Sequence, residues 1–165
     1  MVSQNSSSSA LDASAFYAGI PFLSSGKYCT TRAVFDEVKH IKNSHGAIEA
    51  LLVAGSLEVI DPDKANVEKV KTAAKKTGDY PRLSQADISI VALALQLKTP
   101  LVTDDYAVAN VATTLSIPVQ STSGKGIRET RKWISYCSAC GKAFGPTEKE
   151  CPLCGNRLNR KYKVT

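Results

Sequence analysis

Ser84-Gln85-Ala86-Asp87-Ile88-Ser89-Ile90-Val91-Ala92-Leu93-Ala94-Leu95-Gln96-Leu97-Lys98-Thr99-Pro100-Leu101-Val102-Thr103-Asp104-Asp105 changes its pattern twice. Ser84 offers an N-cap hydroxyl, and Asp87 three residues later completes a capping box. The residues that follow are apolar on nearly every side to about Leu97, as in a buried helix, and Pro100 stops it. Leu101-Val102-Thr103 then reads as a buried strand. Asp104 reads as the cap of a further helix with Val108, Val111, Ala112 and Leu115 on one face. A buried helix, a buried strand and another helix in succession are the unit of a parallel sheet covered on both faces.

The alternation extends in both directions. Upstream, Thr31 is placed to cap a helix bearing Val34, Val38 and Ile41, and a second apolar helix covers Ala47 to Ala54, ended by Gly55. Leu57 to Ile60 reads as a strand, and Asp63 starts a helix through Val67, Val70 and Ala74 that Gly78 ends. Downstream, Ile117 to Val119 is a last strand. Only Ala10 and Leu11 precede Asp12 as apolar residues, so the first strand is short. The fold class is α/β: residues 1–120 form a parallel-sheet domain with helices on both faces, and residues 1–9, rich in Ser, read as a disordered leader or expression remnant. Residues 121–132 are a basic linker, and 133–165 are a small β-type unit of a different kind.

That unit is read from its cysteines. Cys137, Cys140, Cys151 and Cys154 fall in two C-x-x-C pairs separated by ten residues. Each pair presents two thiolates to one ion, and Gly141 and Gly155 permit the tight backbone behind them. The pattern is a Cys₄ zinc ribbon with one structural Zn²⁺. A segment this small cannot bury enough apolar surface to fold without its metal. Redox dithiols are the alternative, and duplication with trailing glycines disfavours them. Cys29 stands alone, with no base beside it, and reads as a small buried hydrophobe.

The 165 residues carry a net charge of +6, unevenly placed. From Ser121 onward ten Lys and Arg face three Glu, whereas Met1–Gln120 holds 11 basic and 12 acidic residues. A basic tail on a slightly acidic body points to a polyanionic partner. The candidate contacts are Lys125, Arg128, Arg131 and Lys132 in the linker and Arg157, Arg160, Lys161 and Lys163 near the end. No apolar run is long enough to span a membrane and no secretory signal is present, which gives a cytoplasmic protein with no membrane partner.

Acidic residues stand where a parallel sheet builds its site, beyond the carboxyl ends of strands. Asp12 follows the first strand, Asp104 and Asp105 follow Leu101 to Thr103, Asp87 is in the first turn of its helix, and Glu37 borders an apolar helix face. Singly, each has a structural reading as cap or solvated residue. Jointly they suit a carboxylate cluster for Mg²⁺ or Mn²⁺. His40 and His45 have no evident catalytic partner.

Leu11-Asp12-Ala13-Ser14, Glu37, Leu83-Ser84-Gln85-Ala86-Asp87 and Leu101-Val102-Thr103-Asp104-Asp105 resemble the successive acidic motifs of PIN-domain nucleases. With Thr103 to Val111 and Ile127-Arg128-Glu129 ahead of the ribbon, the chain from about Ala10 resembles the archaeal ribosome-biogenesis endoribonucleases that form the 3′ end of small-subunit ribosomal RNA. The resemblance implies metal-dependent hydrolysis of an RNA phosphodiester to 3′-hydroxyl and 5′-phosphate ends. It carries catalytic roles to Asp12, Glu37, Asp87 and Asp105, with Asp104 auxiliary. Asp12, Asp87 and Asp105 would hold the ion and Glu37 would orient water. The implied partners are the precursor of small-subunit ribosomal RNA and the pre-ribosomal particle, with no small-molecule substrate. Two rival readings are a toxin-type PIN ribonuclease acting on other RNA and a non-catalytic RNA-binding assembly factor. A phosphatase using an aspartyl nucleophile needs an acid two residues after Asp12, where Ser14 stands.

Overall fold

A computed structural model describes residues 8–40, 45–123 and 131–164. Five strands form the larger sheet: β1 (Ser9–Leu11), β2 (Tyr28–Thr30), β3 (Leu57–Val59), β4 (Leu101–Val102) and β5 (Val119–Gln120), in the order β3-β2-β1-β4-β5. All neighbouring pairs are parallel. Consecutive strand residues point to opposite faces. Ala10 and Leu11 are both buried, as are Leu101 and Val102, so helices cover both sides of the central strands. The described residues include seven α-helices: α1 (Ala13–Tyr17), α2 (Ile20–Leu23), α3 (Arg32–Val38), α4 (His45–Val53), α5 (Lys64–Thr77), α6 (Gln85–Leu97) and α7 (Tyr106–Thr114). None of the described helices is long and apolar enough to cross a membrane.

Local chemistry sets most boundaries as expected. Thr31 caps α3 through the Val34 N–H, Asp63 caps α5 through Asn66 N–H, and Gly78 ends α5 with φ +83°. Ser84 and Asp87 form the capping box of α6. Five details differ from the sequence reading, the first being that Ser9, read as the end of the leader, opens β1 in register with Tyr28. The strand β2 had no signal of its own, being only three residues long. Helix α6 ends at Lys98 in the left-handed conformation, φ 52°, before Pro100 is reached. The last strand is Val119–Gln120, because Pro118 and Gln120 carbonyls receive the Leu101 and Thr103 N–H groups. Asp105, not Asp104, caps α7, its Oδ1 accepting from Ala107 and Val108 N–H.

The second unit is a three-stranded antiparallel sheet, β7-β6-β8, made of β6 (Arg131–Tyr136), β7 (Ala143–Phe144) and β8 (Asn159–Val164). Arg131 and Lys132, read from sequence as linker, are the first residues of β6. Its core holds Cys137, Cys151 and Leu158 with Phe144 against them. The larger domain's core, Ala10 to Ile117, contains no residue of this sheet. The two units meet at the end of α5. There a Cβ on Gly78 would lie 2.6 Å from the Cβ atoms of Trp133 and Pro146.

Candidate active site and metal centre

In this sheet β1 is flanked by β2 on one side and β4 on the other, so the chain's route reverses between β1 and β4. Ligand sites in open parallel sheets lie at such a reversal, outside the carboxyl ends of the strands. Leu11 is in register with Val102 there. The next residue of each strand follows suit: Thr103 Oγ1 donates to Asp12 Oδ2 at 2.7 Å, and the same hydroxyl accepts from the Asp105 N–H at 3.0 Å. Thr103, 1% exposed, thus holds Asp12 and Asp105 in fixed relation. Ser14 adds a second tie, donating to Asp12 Oδ2 at 3.3 Å and accepting from Asp104 N–H at 3.0 Å. Thr103 and Ser14 both lie within the acidic motifs, but their supporting role is not evident from the sequence. The available signal was a hydroxyl near each strand end, Thr103 directly after β4 and Ser14 three residues after β1.

Asp12 is 4% exposed. Burial pushes its carboxyl above the usual range, the charges of Asp87 and Asp105 push the same way, and the Thr103 hydrogen bond opposes them. Asp87 lies at N3 of α6, its Oδ2 accepting from the Ser84 N–H at 2.7 Å. Glu37 is on an exposed position of α3. Its carboxyl is raised first by partial desolvation and then by the charges of Asp87 and Asp12. The four acids therefore share one electrostatic field although they come from three helix starts or strand ends and one helix face. Asp104 is differently engaged. Its oxygens accept from Ser121 Oγ at 2.7 Å, Thr122 N–H at 2.9 Å and the Thr122 hydroxyl, and these bonds, the Thr122 hydroxyl first, lower its carboxyl below the usual range.

Among the described residues, one group of three or more His, Cys, Asp or Glu has ligand atoms all within 4.8 Å of one another, and it is Cys137, Cys140, Cys151 and Cys154. The carboxylates stand wider apart. In the ribbon, Cys137 and Cys154 sulfurs are 3.5 Å apart and Cys140 and Cys151 sulfurs 3.7 Å. A tetrahedron with metal–sulfur bonds of about 2.3 Å has edges of about 3.8 Å, so the four thiols fit a single tetrahedral ion. Gly141 and Gly155 have φ +72° and +70°, and their N–H groups donate to the Cys137 and Cys151 carbonyls, closing the two knuckles. The Cys137 thiol is lowered to about 6, first by the Cys140 backbone N–H. Cys29 is different in kind: it is buried, with its thiol pushed up to about 11, first by desolvation and then by Glu58.

The basic candidates divide by strand face. In β6 and β8, Lys132 pairs with Lys163 and Ile134 with Lys161 on one side, while Trp133 pairs with Tyr162 on the other. On the second side Arg131 lies 4.4 Å from the Tyr106 ring and 4.3 Å from the Tyr162 ring. Arg160 donates to the Gly78 carbonyl at 2.6 Å and sits 5.0 Å from the Trp133 ring. Both arginines are thus engaged in joining the two units. Lys161 lies 4.6 Å from the Tyr136 ring, and Lys132, Arg157 and Lys163 are exposed. Lys125 and Arg128 lie outside the described residues.

Residues 10–97, just over half of the chain, match the family described as the PIN domain of ribonuclease. An endoribonuclease Nob1 from Pyrococcus abyssi is 38% identical over 148 residues, 88% of this chain and 88% of that protein. A ribonuclease VapC1 from Thermoplasma acidophilum is 35% identical over 92% of this chain and 77% of its own length. The 20S-pre-rRNA D-site endonuclease NOB1 of Saccharomyces cerevisiae is 35% identical over 79 residues, 48% of this chain and 17% of that protein. By the extent of these matches and the acids they accompany, the chain belongs to the Nob1 family of PIN-domain endoribonucleases.

Proposed function

We propose that this protein is a divalent-metal-dependent endoribonuclease that forms the 3′ end of small-subunit ribosomal RNA. The observation that carries the reading is Thr103, which ties Asp12 to Asp105 at the sheet's reversal point, beside Asp87 and Glu37. The donor set is all carboxylate oxygen, which suits Mg²⁺ or Mn²⁺. Carboxylates this widely spaced fit the way Mg²⁺ is held, by one or two carboxylates with several waters kept. Asp12 bears a burial and repulsion cost that a cation relieves. Asp12, Asp87 and Asp105 are the residues that would hold it, and the four ribbon cysteines would hold Zn²⁺. The chemistry a bound Mg²⁺ or Mn²⁺ supplies is activation of water near neutral pH and neutralisation of charge on the leaving oxygen.

The chain's own residues do the rest. Thr103 and Ser14 hold the Asp12 carboxylate in one orientation, and the Asp87 and Asp105 carboxylates are each fixed by a backbone N–H of a helix start. Glu37, its carboxyl raised by partial desolvation and then by Asp87 and Asp12, would accept a hydrogen bond from the attacking water and orient it. An acidic site repels RNA, so binding falls to the basic unit. Lys132 opposite Lys163 is a like-charge cross-strand pair, which costs stability unless an anion lies over it. With Lys161 beside Tyr136, it is the ribbon's face for the RNA backbone. The substrate's setting would be the pre-ribosomal particle.

The test is incubation of the full chain with a precursor RNA spanning the mature 3′ end, with Mn²⁺ or Mg²⁺, and sequencing of the product ends. Cleavage at the mature end that Asp12→Asn abolishes is expected. Cleavage elsewhere only, or activity untouched by Asp12→Asn, would refute the reading.

A further inference from the structure

The junction between the two units encloses a cleft of about 610 Å³. The larger domain contributes Lys75 and Tyr80, the ribbon Lys149, Arg157 and Arg160, and Glu148 is the one acid in the wall. Among the described residues, Lys75, Lys149 and Arg157 are exposed and make no ion pair within 4.0 Å; Lys75 Nζ lies 5.2 Å from the centre of one face of the Tyr80 ring, and Arg157 stands across from Glu150. Tyr80 also lines a second groove, of about 720 Å³, whose wall includes Arg32, Gln85 and Ser89. That wall also holds Asp36 and Asp61, and Gln85 is the first residue of α6, the helix whose first turn carries Asp87.

Tyr80 is held rigidly between these two hollows. The residue before it, Asp79, is fully buried and accepts from Trp133 of the ribbon and Asn110 of α7. Tyr80–Arg82 then forms one 3-10 turn containing Pro81, and the capping box of Ser84 and Asp87 follows at once. A nine-residue stretch, Asp79 to Asp87, therefore links the docking contact, an aromatic ring 37% exposed, and a candidate catalytic carboxylate. Cations that follow a backbone, with an aromatic ring offering its face to a base, are the elements of a single-strand binding groove.

We infer that this cleft, built by both units, seats single-stranded RNA on its way to the carboxylates, with Lys75, Lys149 and Arg157 on phosphates and Tyr80 stacked on a base. The inference rests on the nuclease reading for the direction of the strand. It adds residues of the larger domain to the RNA surface, and it makes the docked ribbon part of the substrate path.

The experiment titrates a fluorescein-labelled 12-nucleotide single-stranded RNA of mixed sequence with the full chain carrying Asp12→Asn, at several salt concentrations. Circular dichroism and Trp133 fluorescence verify that each variant is folded and docked. Lys75→Ala and Arg157→Ala are each expected to weaken binding and to reduce the log–log salt slope by about 0.7, the share of one phosphate contact on a single strand. Tyr80→Ala is expected to weaken binding about tenfold with the slope unchanged, and Tyr80→Phe to retain it. Lys64→Ala, at the far end of α5, is the control and should change neither quantity. Unchanged slopes in both Lys75→Ala and Arg157→Ala would overturn the inference and leave the cleft to a different class of partner. A Tyr80→Phe defect equal to Tyr80→Ala would overturn the stacking role. Cleavage of the same RNA by the unsubstituted chain with Mn²⁺ is scored separately. No cleavage with altered slopes would sink the nuclease reading and leave the RNA track standing.

Discussion

Trp133 Nε1 donates a hydrogen bond to Asp79 Oδ1 at 2.8 Å across the junction of the two units. Asp79 is fully buried, and its other oxygen accepts from Asn110 Nδ2 at 2.6 Å. Asn110 in turn pairs with the backbone of Arg131, donating to its carbonyl at 2.7 Å and accepting from its N–H at 2.8 Å. Asp79→Asn leaves one acceptor for two donors and turns an NH₂ group toward the other. A buried donor left unpaired costs about 1–3 kcal/mol. In urea denaturation of the full chain, the Trp133 fluorescence transition is expected to move to lower urea and to separate from the helical circular dichroism transition. Trp133 is the only tryptophan, so its signal reports the junction alone. Coincident transitions at an unchanged midpoint would contradict the role of Asp79.

Removal of the ribbon metal tests the same contact from the other side. The ribbon's own core is Cys137, Cys151 and Leu158, too little to fold without an ion. Zinc chelation or Cys140→Ser is expected to melt β6 to β8 and shift Trp133 emission to the red. The described α-helices all precede Leu115, so helical circular dichroism should persist. The melting temperature of that domain should fall by a few degrees, because it loses the Trp133 contact, at about 3 °C for each kcal/mol. Native Trp133 emission after the metal is demonstrably gone would defeat the idea.

The junction was not legible in the sequence, and the reason is physical. Asp79 reads as an ordinary polar residue after a helix-ending glycine, and Asn110 as a polar interruption of α7. Each acquires meaning only when tertiary packing buries it. Arg131 and Arg160 read as RNA contacts by charge alone, whereas strand register turns both toward aromatic rings. What composition and period did reveal were features with short-range causes: caps at Thr31, Asp63 and Ser84, the glycine at the end of α5, and the cysteine knuckles. The three residues of β2 are too few to show a period. The adjacent pair Asp104 and Asp105 could not be told apart, because either can cap the helix that follows.

The Asp12 carboxylate is held at a cost to the fold. Its carboxyl is raised by burial first and by Asp87 and Asp105 next, so the folded state holds a proton that the unfolded chain, titrating near 3.8, has lost. The folded state binds more protons in that window, and stability therefore falls as pH rises through it. Metal-free protein at neutral pH carries the full cost. Asp12→Asn is expected to stabilise the metal-free protein at pH 7.5, with a smaller gain at pH 5, while lowering cleavage on the order of 10³-fold. Urea denaturation at the two pH values checks it. A less stable Asp12→Asn protein at pH 7.5 without divalent ions would refute it.

Thr103→Val keeps the side chain's shape and removes the hydroxyl that binds Asp12 and Asp105 N–H. Residues that orient metal ligands typically affect activity about 10- to 100-fold when replaced. We expect a loss of that size in cleavage, and a rise in the Mn²⁺ concentration needed for half-maximal rate. Thr103→Ser should restore both. A cleavage loss without any change in Mn²⁺ requirement would show that Thr103 does not act through the ligands.

Asp105 and Asp104 are adjacent and serve different partners. Asp105 Oδ1 caps α7 through Ala107 and Val108 N–H at 2.7 and 3.1 Å, and in the proposed function its second oxygen would serve the ion. Asn caps a helix as well as Asp does, so Asp105→Asn should keep the melting temperature and lose cleavage on the order of 10³-fold. Asp105→Ala should lose the same activity and about 1 kcal/mol of stability as well. Asp104 spends its oxygens on Ser121 and Thr122, where the chain leaves β5. In Asp104→Asn an NH₂ group faces the Thr122 hydroxyl, which can rotate to accept from it, so the change only weakens charge-assisted bonds to Ser121 and Thr122 and touches the carboxylate site only through its backbone N–H to Ser14. The expected loss of cleavage is about tenfold or less, with a small drop in melting temperature. Thermal melts and cleavage rates of the three variants, measured side by side, decide the matter. If Asp104→Asn lost as much activity as Asp105→Asn at unchanged stability, the ion-binding role would belong to Asp104.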